Sequence, residues 1–285
     1  MPEGHVLHRL ARECRSRFGG NRSGVRTVSV TSPQGRFALG ATQIDGWEFA
    51  DALAHGKHLF LGFRPNVKVP REHWLWVHVH LGLYGKWRWS EFANAPAPPV
   101  GQVRMRILRS LGEHGVCADL VGPNRCEVVT TGEVDARRLA LGPDPLDAQP
   151  GDQRRFVEAV RRRERSIAEL VMDQQVIAGP GNIYRAESLF RTGISPFRPG
   201  RRVSTHRLEA LWGDLGEVMQ RGLDDGMIVT VNTEDAPQPP LPGDPEASRF
   251  YVYHRTGRPC LHCQTPVRET VMATRRLFWC PRCQR

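Results

Sequence analysis

Four cysteines crowd the last 26 residues, as Cys260-x2-Cys263 and Cys280-x2-Cys283 with 16 residues between the pairs. Two tight C-x2-C turns set four soft thiolates tetrahedrally around one Zn2+, and a tail so short of large aliphatics needs such a centre to fold. One structural zinc is therefore expected, ahead of an iron-sulfur centre, His262 in place of a cysteine, or thiols left free. Between the pairs the sequence predicts two short strands, 267–272 and 277–279, with Ala273, Thr274, Arg275 and Arg276 at the turn. Two arginines on a hairpin tip suit a phosphate; the plainer alternative is a solvated charged turn.

The amino end, MPEGHVLHRL, offers a second chemistry. A small residue after the initiator Met permits Met removal, which exposes the secondary amine of Pro2. An α-amino group titrates near pKa 8, so a neutral, nucleophilic fraction exists at pH 7. A secondary amine that attacks an aldehydic carbon gives an iminium that cannot lose a proton to become an imine, and it stays an electron sink. Glu3 opens the same helical stripe as Leu7 and Leu10, so it faces inward where an acid or base is useful. The plainer alternative is a helix start, with proline in the first turn and a carboxylate against the dipole.

A third candidate is the run 174–184, QQVIAGPGNIY, which passes through a Gly-Pro-Gly turn into a helix. Asn182 is predicted to cap that helix. The glycines let backbone N–H groups approach an anion at its positive end, as a DNA phosphate would require. A plain capped helix start remains the alternative.

These residues must be held by elements the sequence also outlines. From Pro2 a period of three to four, through Leu7, Leu10, Cys14 and Phe18, predicts an amphipathic helix ending at Gly19-Gly20. Short alternating runs at 25–30, 35–39, 57–63, 74–81, 84–89 and 102–108 predict a mostly antiparallel sandwich or barrel. Helical periodicity returns at 154–174, 183–192 and 204–224, whereas 230–248 is expected to be a mobile linker or active-site loop. Domains are accordingly expected at 1–135, 136–248 and 249–285.

The whole chain of 285 residues is 40% hydrophobic and 25% charged, a soluble composition with no apolar run long enough to span a membrane. Its net charge is +10, and only Lys57, Lys68 and Lys86 among the 40 basic residues are lysines. Arginine's planar fork suits bidentate phosphate contact, which raises a nucleic-acid partner. Cys14, Cys117 and Cys126 are scattered, as core or near-core thiols would be. The odd cysteine total, with no apolar export signal at the amino end, predicts a cytoplasmic protein without a disulfide framework.

MPEG at the amino end, HGKHLF around Lys57, HLGLYG at 80–85, AGPGNIYRAESLFRTGISP at 178–196 and the four-cysteine finger together resemble the formamidopyrimidine-DNA glycosylase and endonuclease VIII family. The resemblance spans nearly the whole chain. It implies a multidomain α+β protein: a catalytic N-terminal helix with an antiparallel β-sandwich, a helix-two-turn-helix domain and a C-terminal zinc finger, with damaged DNA bound between them. It further implies a bifunctional DNA glycosylase and abasic-site lyase. Pro2 would be the nucleophile at C1′, Glu3 the acid/base, and Lys57 the contact to the phosphate beside the lesion. Asn182 and Arg275 would hold the flanking phosphates.

Leu83 and Tyr84 resemble the Leu-Tyr wedge of endonuclease VIII, and a DPRRFG-like loop is replaced by GEHGVCADLVGP at 112–123. Oxidised pyrimidines are therefore the expected substrates, removed with β- or β,δ-elimination. An 8-oxoguanine-preferring glycosylase and a catalytically silent DNA-binding protein are the rivals. A monomer acting on the nucleoid, without nucleotide cofactor or membrane, completes the expectation.

Overall fold

The computed structural model describes residues 2–19, 27–236 and 247–285. The chain divides into two compact units, residues 1–2 with 6–140, and residues 3–5 with 141–285.

In the first unit, helix α1 (Gly4–Phe18) turns Leu7, Leu10, Cys14 and Phe18 into the core at the predicted spacing. It is followed by β1 (Ser29–Thr31), α2 (Ala38–Ile44), β2 (Glu48–His55), β3 (His58–Arg64), β4 (Leu75–His80), β5 (Lys86–Ala93), β6 (Val103–Leu111), β7 (His114–Val121), β8 (Arg125–Thr130) and α3 (Thr131–Leu139). Two four-stranded antiparallel sheets result, ordered β1-β6-β7-β5 and β2-β3-β4-β8. Val30, Ile107 and Leu120 of one sheet meet Leu61, Phe63 and Val77 of the other around α1, which makes the predicted sandwich. The second sheet's other face is covered by Val134 of α3, against Phe60, Trp76 and Val129.

Residues 35–39 are not the expected strand. They form a turn that leads into α2, because Phe37, Ala41 and Ile44 recur at helical spacing and are buried, while Leu39 is 84% exposed. Strands β2, β7 and β8 carry charged or polar residues among their apolar ones, which hid their alternation in the sequence.

The second unit contains α4 (Asp152–Arg161), α5 (Ile167–Met172), α6 (Asn182–Arg191), α7 (Thr205–Asp225) and the hairpin β9 (Arg268–Met272) and β10 (Arg275–Trp279). The single helix expected over 154–174 is broken between α4 and α5. Ser166 starts α5 with a capping box, its hydroxyl accepting from the Glu169 N–H while Glu169 reaches back to the Ser166 N–H. Of the segment 230–248, expected as a linker or loop, residues 237–246 lie outside the described residues. Thr230 is fully buried and its hydroxyl donates to Glu187. No helix among the described residues is long and apolar enough to cross a membrane.

Candidate functional site

Glu3 is wholly buried. Its carboxylate accepts from the backbone N–H of Gly181 at 2.7 Å, of Ile183 at 2.9 Å and of Tyr184 at 3.5 Å. These are the free donors at the start of α6, so a carboxylate from the other end of the sequence caps that helix. The Gly-Pro-Gly turn is built for this purpose. Gly179 has φ +108°, its carbonyl accepts from the Gly4 N–H at 2.9 Å, and a Cβ on Gly181 would come within 2.5 Å of the Glu3 Cδ. The anion at this helix start is therefore Glu3 itself. The expectation that these amides hold a DNA phosphate is corrected, because the carboxylate already occupies them.

Asn182 is the first residue of α6 rather than its cap, and Gly181 takes the cap position. The Asn182 Nδ2 donates to the Arg276 carbonyl at 2.9 Å, and Arg185 donates both to the Asn182 Oδ1 and, at 3.1 Å, to the same carbonyl. The helix start and the cysteine hairpin are thereby tied together. An amide has two N–H donors, which leaves Asn182 one for a ligand.

The hairpin turn is narrower than expected. Arg275 pairs with Met272 in register, so only Ala273 and Thr274 lie in the turn and both arginines belong to β10. Both turn residues have positive φ, +48° and +63°, as a two-residue type I′ turn demands. Thr274, β-branched, is costly in that region. Side chains alternate along β10. Arg276 is engaged with Glu269 at 2.6 Å and lies 5.0 Å over the Phe278 ring, whereas Arg275 points to the opposite side. The charge of Arg275 is felt at the buried Arg185, whose pKa falls to about 10, first through burial.

The Sγ atoms of Cys260, Cys263, Cys280 and Cys283 all lie within 4.8 Å of one another. The Cys260–Cys283 and Cys263–Cys280 pairs stand at 3.8 and 3.5 Å. A tetrahedral ion with metal–sulfur bonds of about 2.3 Å requires sulfur–sulfur edges of about 3.8 Å, so the four residues fit such a centre. Hydrogen bonds from Thr265 draw the Cys263 thiol down to about 6.

In the first unit Lys57 sits at the tip of the β2–β3 hairpin, beside Gly56 at φ +57° in a two-residue turn. Two imidazoles near it are held below their ordinary range. Burial, and next the charge of Lys57, lowers His80; burial, and next His78, lowers His58 from 6.5 to about 3. His58 Nδ1 lies 2.8 Å from His78 Nε2. Leu83 and Tyr84 occupy the turn between β4 and β5, flanked by Gly82 and Gly85, and are 50% and 82% exposed, a large apolar display. Pro2 is half-buried and belongs to this unit, one peptide bond from Glu3.

Two charged residues of α6 escaped the sequence reading, Arg185 and Glu187, both wholly buried. Glu187 accepts from the Thr230 hydroxyl and from the backbone N–H groups of Tyr251, Val252 and Tyr253, fixing the approach to the cysteine tail. Nothing in their spacing distinguishes them from solvated helix residues.

Residues 1–122 match the formamidopyrimidine-DNA glycosylase N-terminal domain, and residues 141–233 match the H2TH domain of the same glycosylase. The chain is 44% identical to Endonuclease 8 1 of Mycobacterium tuberculosis over 289 residues, covering 100% of each. It is 30% identical to the formamidopyrimidine-DNA glycosylase of Methylococcus capsulatus, covering 87% of this chain and 85% of that one. Among solved structures, Lactococcus lactis Fpg in complex with abasic-site DNA superposes with a TM-score of 0.72 at 19% identity, over 99% of both chains. The same Fpg with oxidised-pyrimidine DNA gives 0.74 at 20% identity, again over 99% of both, a likeness of fold. With this fold, these two domains and a full-length relative at 44% identity, the chain belongs to the formamidopyrimidine-DNA glycosylase and endonuclease VIII family, on its endonuclease VIII side.

Proposed function

We propose that this chain is a bifunctional DNA glycosylase and abasic-site lyase that removes oxidised bases, pyrimidines foremost. The observation that carries the reading is the Glu3 carboxylate, buried on the α6 amides and one peptide bond from Pro2. Held there, the carboxylate is seated on the first amides of α6.

The Pro2 nitrogen attacks C1′ of the lesion nucleotide, and the base leaves with the C1′–N electron pair and takes up a proton. The C1′–O4′ bond then breaks as the proline nitrogen gives up its proton, which Glu3 passes to O4′, and the nitrogen lone pair closes an iminium to C1′. That cation draws electrons from C2′, which loses a proton as the C3′–O bond breaks and the strand is cut. Lys57, Asn182 and Arg275 hold the phosphates around the lesion, while Leu83 and Tyr84 fill the gap left by the flipped base. Flipping costs a few kcal/mol, and a stacked ring returns about 1 to 3 kcal/mol. Such an enzyme works on the nucleoid and needs no nucleotide cofactor.

The four cysteines would hold one Zn2+, which supplies folding free energy to the tail and no chemistry to the sugar. Chelation is expected to collapse the tail NMR shifts toward random coil and to abolish specific binding of abasic DNA. Unchanged shifts after stoichiometric zinc loss would contradict this role.

The substrate class is tested by single-turnover excision on matched duplexes. Thymine glycol and 5-hydroxyuracil are expected to be released faster than 8-oxoguanine opposite cytosine, because no arginine in a DPRRFG-like loop is present to check that partner base. An 8-oxoguanine rate equal to or above every pyrimidine rate would move the enzyme to the purine-preferring class. No borohydride-trapped complex on any lesion would leave a silent DNA-binding protein.

A further inference from the structure

We propose that α4 and the single helical turn at Gly200–Arg202 form a second DNA contact, an arginine platform that takes duplex phosphates outward from those assigned to Asn182 and Arg275. The proposal rests on the DNA-repair reading above. Residues 152–165 and 198–202 together hold nine arginines against Asp152, Glu158 and Glu164, which is +6 of the chain's +10. Phe156, Val157 and Val160 take the buried stripe of α4, so its arginines face solvent, with the side chains of Arg154 and Arg162 81% and 76% exposed.

The platform is built rather than accidental. The Gly200 N–H donates to the Arg165 carbonyl at 2.9 Å and the Arg201 N–H to the Arg163 carbonyl at 3.0 Å, clamping the two segments side by side. A Cβ on Gly200 would come within 2.6 Å of the Val160 carbonyl oxygen, so the approach needs glycine. An open groove of about 480 Å³ lies on α4 between Arg155, Glu158, Arg162 and Arg163.

Complementing the helix dipole explains arginines at the C-terminal end of α4 but not Arg154 and Arg155 near its start, where positive charge opposes the dipole. Their present partners are easily exchanged. Arg162 and Arg154 share Glu158 at 3.4 and 3.8 Å, and Arg155 pairs with Asp152 at 2.8 Å. The exposed pairs on Glu158 are worth about 0 to 1 kcal/mol, whereas a phosphate accepts a bidentate fork and releases counterions.

Location joins the platform to the hairpin. Ser166, which follows Arg165, touches the Met272 sulfur at 3.4 Å, and Met272 is the register partner of Arg275. From there α4, with 10 residues, runs about 15 Å, the rise of about four base pairs.

The test is the triple variant Arg155→Gln, Arg162→Gln, Arg201→Gln, all exposed positions, compared with the same three changed to Lys. Affinity for undamaged duplexes is measured against salt, with flanks of about 15 or about 4 base pairs beyond the central pair. On the long duplexes the log-log slope should shrink by about 2.7, so that affinity lost between about 50 and 200 mM salt falls about 40-fold less; the Lys variant restores most of the slope. On the short duplexes the slope should not change. An unchanged slope on long duplexes, or an equal fall on both lengths, overturns the platform. Binding to undamaged DNA involves no chemistry. A wild-type protein that fails to trap abasic DNA therefore sinks the enzymatic reading alone, and a platform failure with trapping intact sinks only the platform.

Discussion

Pro2→Ala is expected to lower the borohydride-trapped complex on abasic DNA by at least about a hundredfold, with affinity for that DNA largely kept. The substitution leaves Asn182, Arg275 and the cysteine hairpin untouched, so binding has no reason to fail. The alanine still offers a primary amine, but the iminium it forms loses a proton to give a neutral imine, which draws electrons from C2′ poorly. A residual, slow adduct is therefore compatible with the assignment, and an adduct equal to wild type defeats it. A second protein, with one uncleaved residue ahead of Pro2, turns the nitrogen into a tertiary amide. It should trap nothing at all.

Glu3→Gln is expected to slow base excision by about 10² to 10⁴ while slowing strand cleavage at a preformed abasic site far less, since that site already has its aldehyde. The geometry adds a second consequence. The Gly181 and Ile183 N–H groups bond to different carboxylate oxygens, and glutamine keeps only one acceptor, so its NH2 must face a backbone donor. One buried N–H is left without a partner, at a cost of about 1 to 3 kcal/mol. Thermal unfolding separates the two effects: a lowered midpoint reports the cap, and the excision-to-cleavage ratio reports the proton. Equal losses in both activities at an unchanged midpoint would give Glu3 a broader role.

What could be read from the sequence was whatever depends on neighbours in the chain. The cysteine spacing, the stripe from Leu7 to Phe18 and the two short strands between the cysteine pairs are local signals, and the structure realises them, with a turn two residues shorter than expected. The Gly-Pro-Gly run announced an anion but not which one, because Glu3 and α6 are far apart in sequence. Asn182 had the right chemistry for a cap, yet Gly181 stands there because the incoming carboxylate leaves no room for a side chain. The resemblance chose Arg275 over its neighbour Arg276, and only the register of β9 and β10 puts the two on opposite faces. Buried charges such as Arg185 and Glu187 are illegible for the same reason: their partners come from segments packed against α6 only after folding.

The hydrogen bond from Gly181 to Glu3 joins residues 178 positions apart. Closing a loop of that size costs about 5 kcal/mol in chain entropy before the contact returns anything, and contacts of such separation form late in folding. During synthesis the carboxylate emerges among the first residues, and the amides that hold it emerge only after the entire first unit has been made. A chain paused after α3 and before α6 has every strand of its sandwich and can bury Leu7 and Cys14, yet its Glu3 has no helix end to seat it. The buried carboxylate is thus seated in time only when the half of the molecule that carries α6 exists.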